Sequence, residues 1–199
     1  MYSSRDDFDK LFANNTDPWG FRSRWYEARK RALTLAALPA ERYGSAFEPG
    51  CANGELTAAL AGRCDQLLAS DGSEVALEIA RHRLRACGNV RLLKAWLPEQ
   101  WPDEKFDLIV ISELGYFLKR APLVELAEQA RVSLRSGGTV LACHWRKPIV
   151  SCELTGDAVH EVLHQGLGLH RLGAYIDEDM RLEAWCPDAR SVGRRENLT

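Results

Sequence analysis

The chain has 199 residues, 46% of them hydrophobic and 27% charged, with a formal net charge of -2. That length fits one domain with a three-layer core, and the slight acidity excludes the basic surface that drives general nucleic-acid or anionic-membrane binding. No apolar run approaches the roughly 20 residues that span a bilayer, and the polar start MYSSRDDFDK does not read as a signal peptide.

In chain order, Asp17-Pro18 reads as a helix start, a capping residue followed by proline at the first helical position. Phe21, Trp25, Ala28, Ala32 and Leu35 then recur at spacings of three and four, which predicts a helix ending near Leu38 with Trp25 on its core-facing stripe. Strands are expected at 45–48, 66–70, 90–93, 106–112 and 139–145, with helices at 55–62, 73–87 and 121–134 between them. The run FDLIVIS at 106–112 is nearly all apolar, as in a strand buried on both faces. Ser136-Gly137-Gly138 reads as the stop of the third of these helices. A helix near 156–165 follows, then strands near 169–175 and 180–185, joined by a link short enough for an antiparallel hairpin. Residues 190–199 are expected to form a flexible tail. The alternation predicts an α/β fold: a Rossmann-like, doubly wound, mostly parallel seven-stranded sheet with an antiparallel last strand. A helical cap over 1–38 would precede a core at 43–186.

The six cysteines, Cys51, Cys64, Cys87, Cys143, Cys152 and Cys186, show no C-x-x-C spacing, which argues against a zinc or thioredoxin-type site. With no secretion signal, reduced thiols in a cytoplasmic protein are expected, most of them filling core space.

The stretch FEPGCANGEL, 47–56, joins the first strand to its helix and lies where open parallel sheets bind ligands. A dinucleotide loop needs the closely spaced glycines of G-x-G-x-x-G to seat a pyrophosphate. Here Gly50 and Gly54 are four apart, Ala52 holds the middle position, and Glu48 would repel an anion. The loop suits a ligand with a cationic group and no phosphate. The second strand ends at Asp71, where a carboxylate can accept both hydroxyls of a ribose, although Asp is also a common helix cap. S-adenosylmethionine combines a sulfonium, an amino acid and an adenosine, and fits.

E-x-G-x-x-x-G after strand one, an acid after strand two and FDLIVISE at strand four resemble a class I S-adenosylmethionine-dependent methyltransferase. More narrowly, DPW near the start, FEPGCANGELTAALAGRCDQLLASD and FDLIVISELGYFL are similar to the nodulation protein S (NodS) methyltransferases, over roughly residues 17–140. Members of that family N-methylate a deacetylated amino-sugar oligosaccharide. The resemblance implies cofactor contacts at Glu48, Gly50, Cys51, Asn53, Gly54, Asp71, Gly72, Trp96, Leu97 and Glu113. Two departures stand out: Pro49 in the loop, and Trp96 where many relatives carry an aspartate on the adenine amino group. Adenine would then be held by stacking and by backbone groups around Ala95, Trp96 and Leu97.

Three residues near the ligand edge are candidates for catalysis. Glu113 ends the fourth strand and is either a salt-bridge partner or a contact to substrate. Tyr116 follows on the same loop, as core or as part of an acceptor pocket. His144 ends the fifth strand, as a structural residue or a proton acceptor. Trp19, off the helical stripe, is expected to close the cofactor site or offer a flat surface to a sugar; Trp96 and Trp101 read as core or lid, and Arg146 and Lys147 as solvated. The expected activity is methyl transfer to a small molecule, an amine nitrogen first. The alternatives are O-methylation, an NAD or nucleotide-sugar oxidoreductase, and a non-catalytic cofactor-binding subunit. The residues do not set an oligomeric state.

Overall fold

The computed structural model describes residues 5–198. Its strands are β1 (Tyr43–Pro49), β2 (Cys64–Asp71), β3 (Val90–Lys94), β4 (Phe106–Ser112), β5 (Leu134–Trp145), β6 (His170–Ile176) and β7 (Met180–Cys186). They form one sheet in the order β3-β2-β1-β4-β5-β7-β6. The first five run parallel, and β7 pairs antiparallel with both β5 and β6. The helices are α1 (Arg5–Asn14), α2 (Trp25–Ala36), α3 (Glu55–Ala61), α4 (Glu74–Arg83), α5 (Arg120–Ser133), α6 (Gly156–Leu167) and α7 (Val192–Arg195).

Strand β4 shows why the sheet is buried on both sides. Ile109 and Ile111 join one apolar cluster with Leu123 and Leu126 of α5 and Val159 and Leu163 of α6. Leu108 and Val110 point the other way, into a cluster with Leu60 of α3, against which Leu33 of α2 packs. Side chains alternate across a strand, so a strand covered on both faces must be apolar throughout. Ser73 caps α4 by accepting the Ala76 N–H at 3.2 Å, and Thr155 caps α6 by accepting the Ala158 N–H at 3.2 Å. Because the chain leaves β1 toward β2 on one side and returns at β4 on the other, a crevice opens beyond the C-terminal ends of these strands.

Several expectations are corrected here. Asp17-Pro18 does not start the long helix. The Asp17 carboxylate accepts the N–H groups of Phe21 at 2.7 Å and Arg22 at 3.1 Å, closing a turn, and α2 begins only at Trp25. Trp25 is 77% exposed, not core; the buried residues of α2 are Glu27, Lys30 and Thr34. An additional helix, α1, precedes the turn; its Phe12 is buried, and its Asp9 accepts the Ser73 hydroxyl at 2.5 Å. Strand β5 begins at Leu134, so the glycines at 137 and 138 lie within it, where its register with β4 shifts. Residues 192–195, within the segment expected to be flexible, form a short helix capped by the Ser191 hydroxyl.

Candidate active site

A cavity of about 470 Å³ fills the crevice, between the C-terminal ends of the central strands and a roof made by α1, α2 and the turn between them. No helix among the described residues is long and apolar enough to cross a membrane.

One end of the cavity is built by the loop after β1. Gly50 has φ +75° and Ala52 φ +49°, a left-handed backbone that bends the chain sharply. The N–H groups of Gly50 and Cys51 both donate to Ser70 O at 2.8 Å. Asp71 then ties two loops together: one carboxylate oxygen accepts the Ala52 N–H at 2.9 Å and the other the Ser73 N–H at 2.8 Å. The cap of α4 is Ser73, which leaves Asp71 on the cavity wall. Burial pushes the Asp71 carboxyl up, and the backbone donors oppose that shift. Glu48 is also buried; burial, helped by the charge of Asp71, pushes its carboxyl up to about 8. Its Oε2 has no hydrogen-bond partner among the described residues, and neither has Asn53 Oδ1. Both residues line the cavity. Asn53 Nδ2 donates to Thr16 O at 3.1 Å and to Asp17 Oδ1 at 3.3 Å, which latches the roof to the loop.

Gly72 and Trp96 meet at the wall, so closely that a Cβ at Gly72 would lie 2.0 Å from the Trp96 ring. Leu97 lies beside them on the wall. Cys51 faces the cavity with its thiol pushed well up by burial, which makes it a filler and not a nucleophile. Gly54 lies off the wall. Its φ of +79° and the closeness of Ala80 and Leu84 give it a packing role, where α3 approaches α4. Trp19 forms part of the roof, against Phe12 at 5.6 Å and Phe21 at 5.5 Å. Trp101 is a core residue instead: its ring meets Phe47 edge-on and its Nε1 donates to Ser133 Oγ at 2.7 Å. Arg146 is not simply solvated, since it donates to both carboxylate oxygens of Asp157 at 3.0 and 3.2 Å.

The other end of the cavity holds a charged cluster. Glu113 has φ +54°, a strained conformation for a side chain of this size, just beyond β4. Its Oε1 accepts from Lys30 Nζ at 2.8 Å, and its Oε2 accepts the Trp145 N–H at 3.1 Å and the Tyr116 hydroxyl. Lys30 also pairs with Glu27 Oε2 at 2.9 Å. Burial works against the Lys30 ammonium, yet the charges of Glu113 and Glu27 outweigh it and hold its pKa above the ordinary value. Burial and the neighbouring Glu113 keep Tyr116 well above a free phenol. The Tyr26 hydroxyl is buried at the same wall without a hydrogen-bond partner among the described residues. With two carboxylates and one ammonium, the cluster carries a net charge of -1 when all three ionise.

His144 is corrected. It is wholly buried and turned away from the cavity, toward α6. Its Nε2 accepts the Gly115 N–H at 3.1 Å, and its Nδ1 lies 3.2 Å from His160 Nε2. Neither nitrogen is free to take a proton from a ligand. Sequence reasoning missed Glu27 and Lys30; their spacing of three was the available signal, but nothing in it distinguishes a buried pair from a solvated one.

The nodulation protein S (NodS) family model matches residues 4–161 of this chain. The nodulation protein S of Sinorhizobium fredii is 26% identical over 83% of this chain and 81% of its own length. A crystal structure from Pseudomonas syringae, assigned as a methyltransferase, is 51% identical, covers 82% of this chain and 99% of its own, and superposes with a TM-score of 0.74. The N-methyltransferase NodS of Bradyrhizobium japonicum, solved with S-adenosyl-L-homocysteine, shares the fold at a TM-score of 0.80 and 22% identity, over 92% of this chain and 98% of its own.

Proposed function

From a chain that belongs to the NodS family and is an S-adenosylmethionine-dependent methyltransferase, we infer N-methylation of a small amine, with a deacetylated amino sugar as the leading acceptor. The unpaired buried oxygens of Glu48 and Asn53, together with Asp71, fit a ligand that carries an ammonium and a ribose. Glu48 and Asn53 would take the polar amino-acid end, Asp71 the ribose hydroxyls, and Gly72, Trp96 and Leu97 the base. When bound, the cofactor supplies a methyl group already activated by its sulfonium. The protein's part is then to align the acceptor, exclude water and remove a proton.

The observation that carries the amine reading is the pair of carboxylates, Glu27 and Glu113, that flank Lys30 on the cavity wall, with Glu27 Oε1 open to a donor. It favours a cation, and an amine arrives as one. The Tyr116 proton is committed to Glu113, so its oxygen presents only lone pairs and can orient an N–H donor. A hydroxyl acceptor would call for a stronger base than a carboxylate. The six free cysteines are in keeping with a reducing, cytoplasmic setting. The test is methyl transfer from labelled cofactor to free and N-acetylated forms of one amino-sugar oligomer. Transfer to the free amine alone is expected; equal transfer to the acetylated form would move the acceptor to a hydroxyl.

A further inference from the structure

The two carboxylates that share Lys30 differ in what they have left to give. Glu113 receives three donors: Lys30 Nζ on Oε1, and the Tyr116 hydroxyl and Trp145 N–H on Oε2. Glu27 receives one, Lys30 on Oε2, and among the described residues no donor reaches its Oε1. Both line the cavity. A general base needs a free lone pair within reach of the proton; of about four acceptor sites on a carboxylate, Glu27 has three open and Glu113 one.

We propose that Glu27, carried in by α2, is the catalytic base that takes the acceptor's proton, and that Glu113 is a positioning residue that holds Lys30 and Tyr116. This rests on the N-methylation reading. The ammonium R–NH3+ gives a proton to Glu27 Oε1 and becomes R–NH2. The nitrogen lone pair forms the N–C bond to the methyl carbon while the C–S bond breaks and leaves its electron pair on sulfur. The products are R–NH2–CH3+, S-adenosylhomocysteine and a neutral Glu27 carboxyl, whose proton passes to solvent.

The surroundings suit the task. The groups that face Glu27 are Lys30, Arg31 and Tyr26 on its own helix, Glu113 after β4 and Cys143 on β5. Burial raises the Glu27 pKa, the Lys30 charge lowers it, and burial prevails, which moves the carboxylate toward the basicity that an amine proton requires.

The experiment measures kcat and KM against pH, with a free amino-sugar oligomer as acceptor, for wild type, Glu27→Gln, Glu27→Asp and Glu113→Gln. Calorimetric titration with S-adenosylhomocysteine reports separately on the folded cofactor site. Glu27→Gln should bind S-adenosylhomocysteine as wild type does and lose about 100-fold or more in kcat at pH 7, the scale of a general base. The loss should shrink as pH rises through the amine's pKa, because the acceptor then arrives deprotonated. Glu27→Asp, which keeps a carboxylate beside Lys30, should retain an intermediate rate with a displaced acid limb. Glu113→Gln should lose rate by a similar factor at every pH. A Glu27→Gln profile like that of wild type, or a loss unrelieved at high pH, would overturn the assignment of Glu27 alone. Relief at high pH in Glu113→Gln would transfer the role to Glu113. A wild-type enzyme that binds S-adenosylhomocysteine but methylates no amine would overturn the N-methylation reading and this proposal with it.

Discussion

His144 Nδ1 lies 3.2 Å from His160 Nε2, in the middle of a buried chain that runs in one direction. The Gly115 N–H donates to His144 Nε2, so the His144 proton sits on Nδ1 and points at His160. The His160 proton in turn sits on Nδ1 and meets Glu183 Oε2 at 2.7 Å. Glu183 is balanced by Arg171 at 2.7 Å and Arg181 at 3.0 Å. The chain thus fixes the turn at 115–117 that presents Tyr116.

His160→Ala would leave the His144 N–H unpaired in the core and open a cavity. A loss of about 2–4 kcal/mol in urea unfolding is expected, from one buried donor and one emptied side-chain volume. Burial holds both histidines below their ordinary value of 6.5. On acidification the unfolded chain therefore takes up protons first, and wild-type stability should decline as pH falls below about 6.5. A variant as stable as wild type, with the same acid slope, would deny the chain this role.

Glu48 acts in the opposite direction. Its carboxyl is raised from 4.5 to about 8, so between those values the unfolded chain has released a proton that the ligand-free fold retains. Its contribution to stability is complete below pH 4.5 and is lost as pH rises toward 8. Between pH 6.5 and 8, Glu48 should therefore tilt the stability of the ligand-free protein downward by up to about 1.4 kcal/mol per pH unit. Glu48→Gln should flatten that slope. Urea titrations of both proteins across the window decide it.

Gly72→Ala should disturb the cofactor site without unfolding the protein, since the new methyl would lie 2.0 Å from the Trp96 ring and must push it aside. S-adenosylhomocysteine affinity should fall about tenfold, or about 1.4 kcal/mol. In a Trp96→Leu background the same substitution should cost less, because the obstacle has gone. Additive losses in calorimetric titrations would place the ring elsewhere.

Trp25→Ser tests the orientation of α2. A tryptophan that is 77% exposed contributes little to the core, and the change should stay within about 0.5 kcal/mol of wild type. A loss of about 3 kcal/mol or more, the cost of emptying a core aromatic position, would restore Trp25 to the interior.

The sheet was legible because strands such as FDLIVIS, buried on both faces, leave continuous apolar runs between helical patterns. The loop from Glu48 to Asn53 and the acid at Asp71 could be placed on the cavity because both follow strands whose C-terminal ends meet at the switch point of the sheet. Helix α2 was misread for a physical reason. Periodicity assumes that an inward face is apolar, but this helix roofs a polar cavity, so Glu27 and Lys30 turn inward while Trp25 faces water. Helix α1 left a trace, with Phe8, Leu11 and Phe12 at spacings of three and four, in a segment too short to stand out. The direction of His144 could have been counted in twos along β5, since it shares a face with Val140 and Ala142, toward α6.

The Lys30–Glu113 pair joins parts of the chain that answer to different demands. Glu48, Asp71 and the glycine loop belong wholly to the sheet and its connections, whereas two of the three residues of the charged cluster, Glu27 and Lys30, arrive on α2, a helix of 12 residues. On the proposed assignment of the two ends, the methyl donor's half can therefore stay fixed while the acceptor's half is exchanged with one helix. Drift in that segment would then retune which acceptor is admitted without redesign of the donor's half. Acceptor choice in this architecture is a replaceable part.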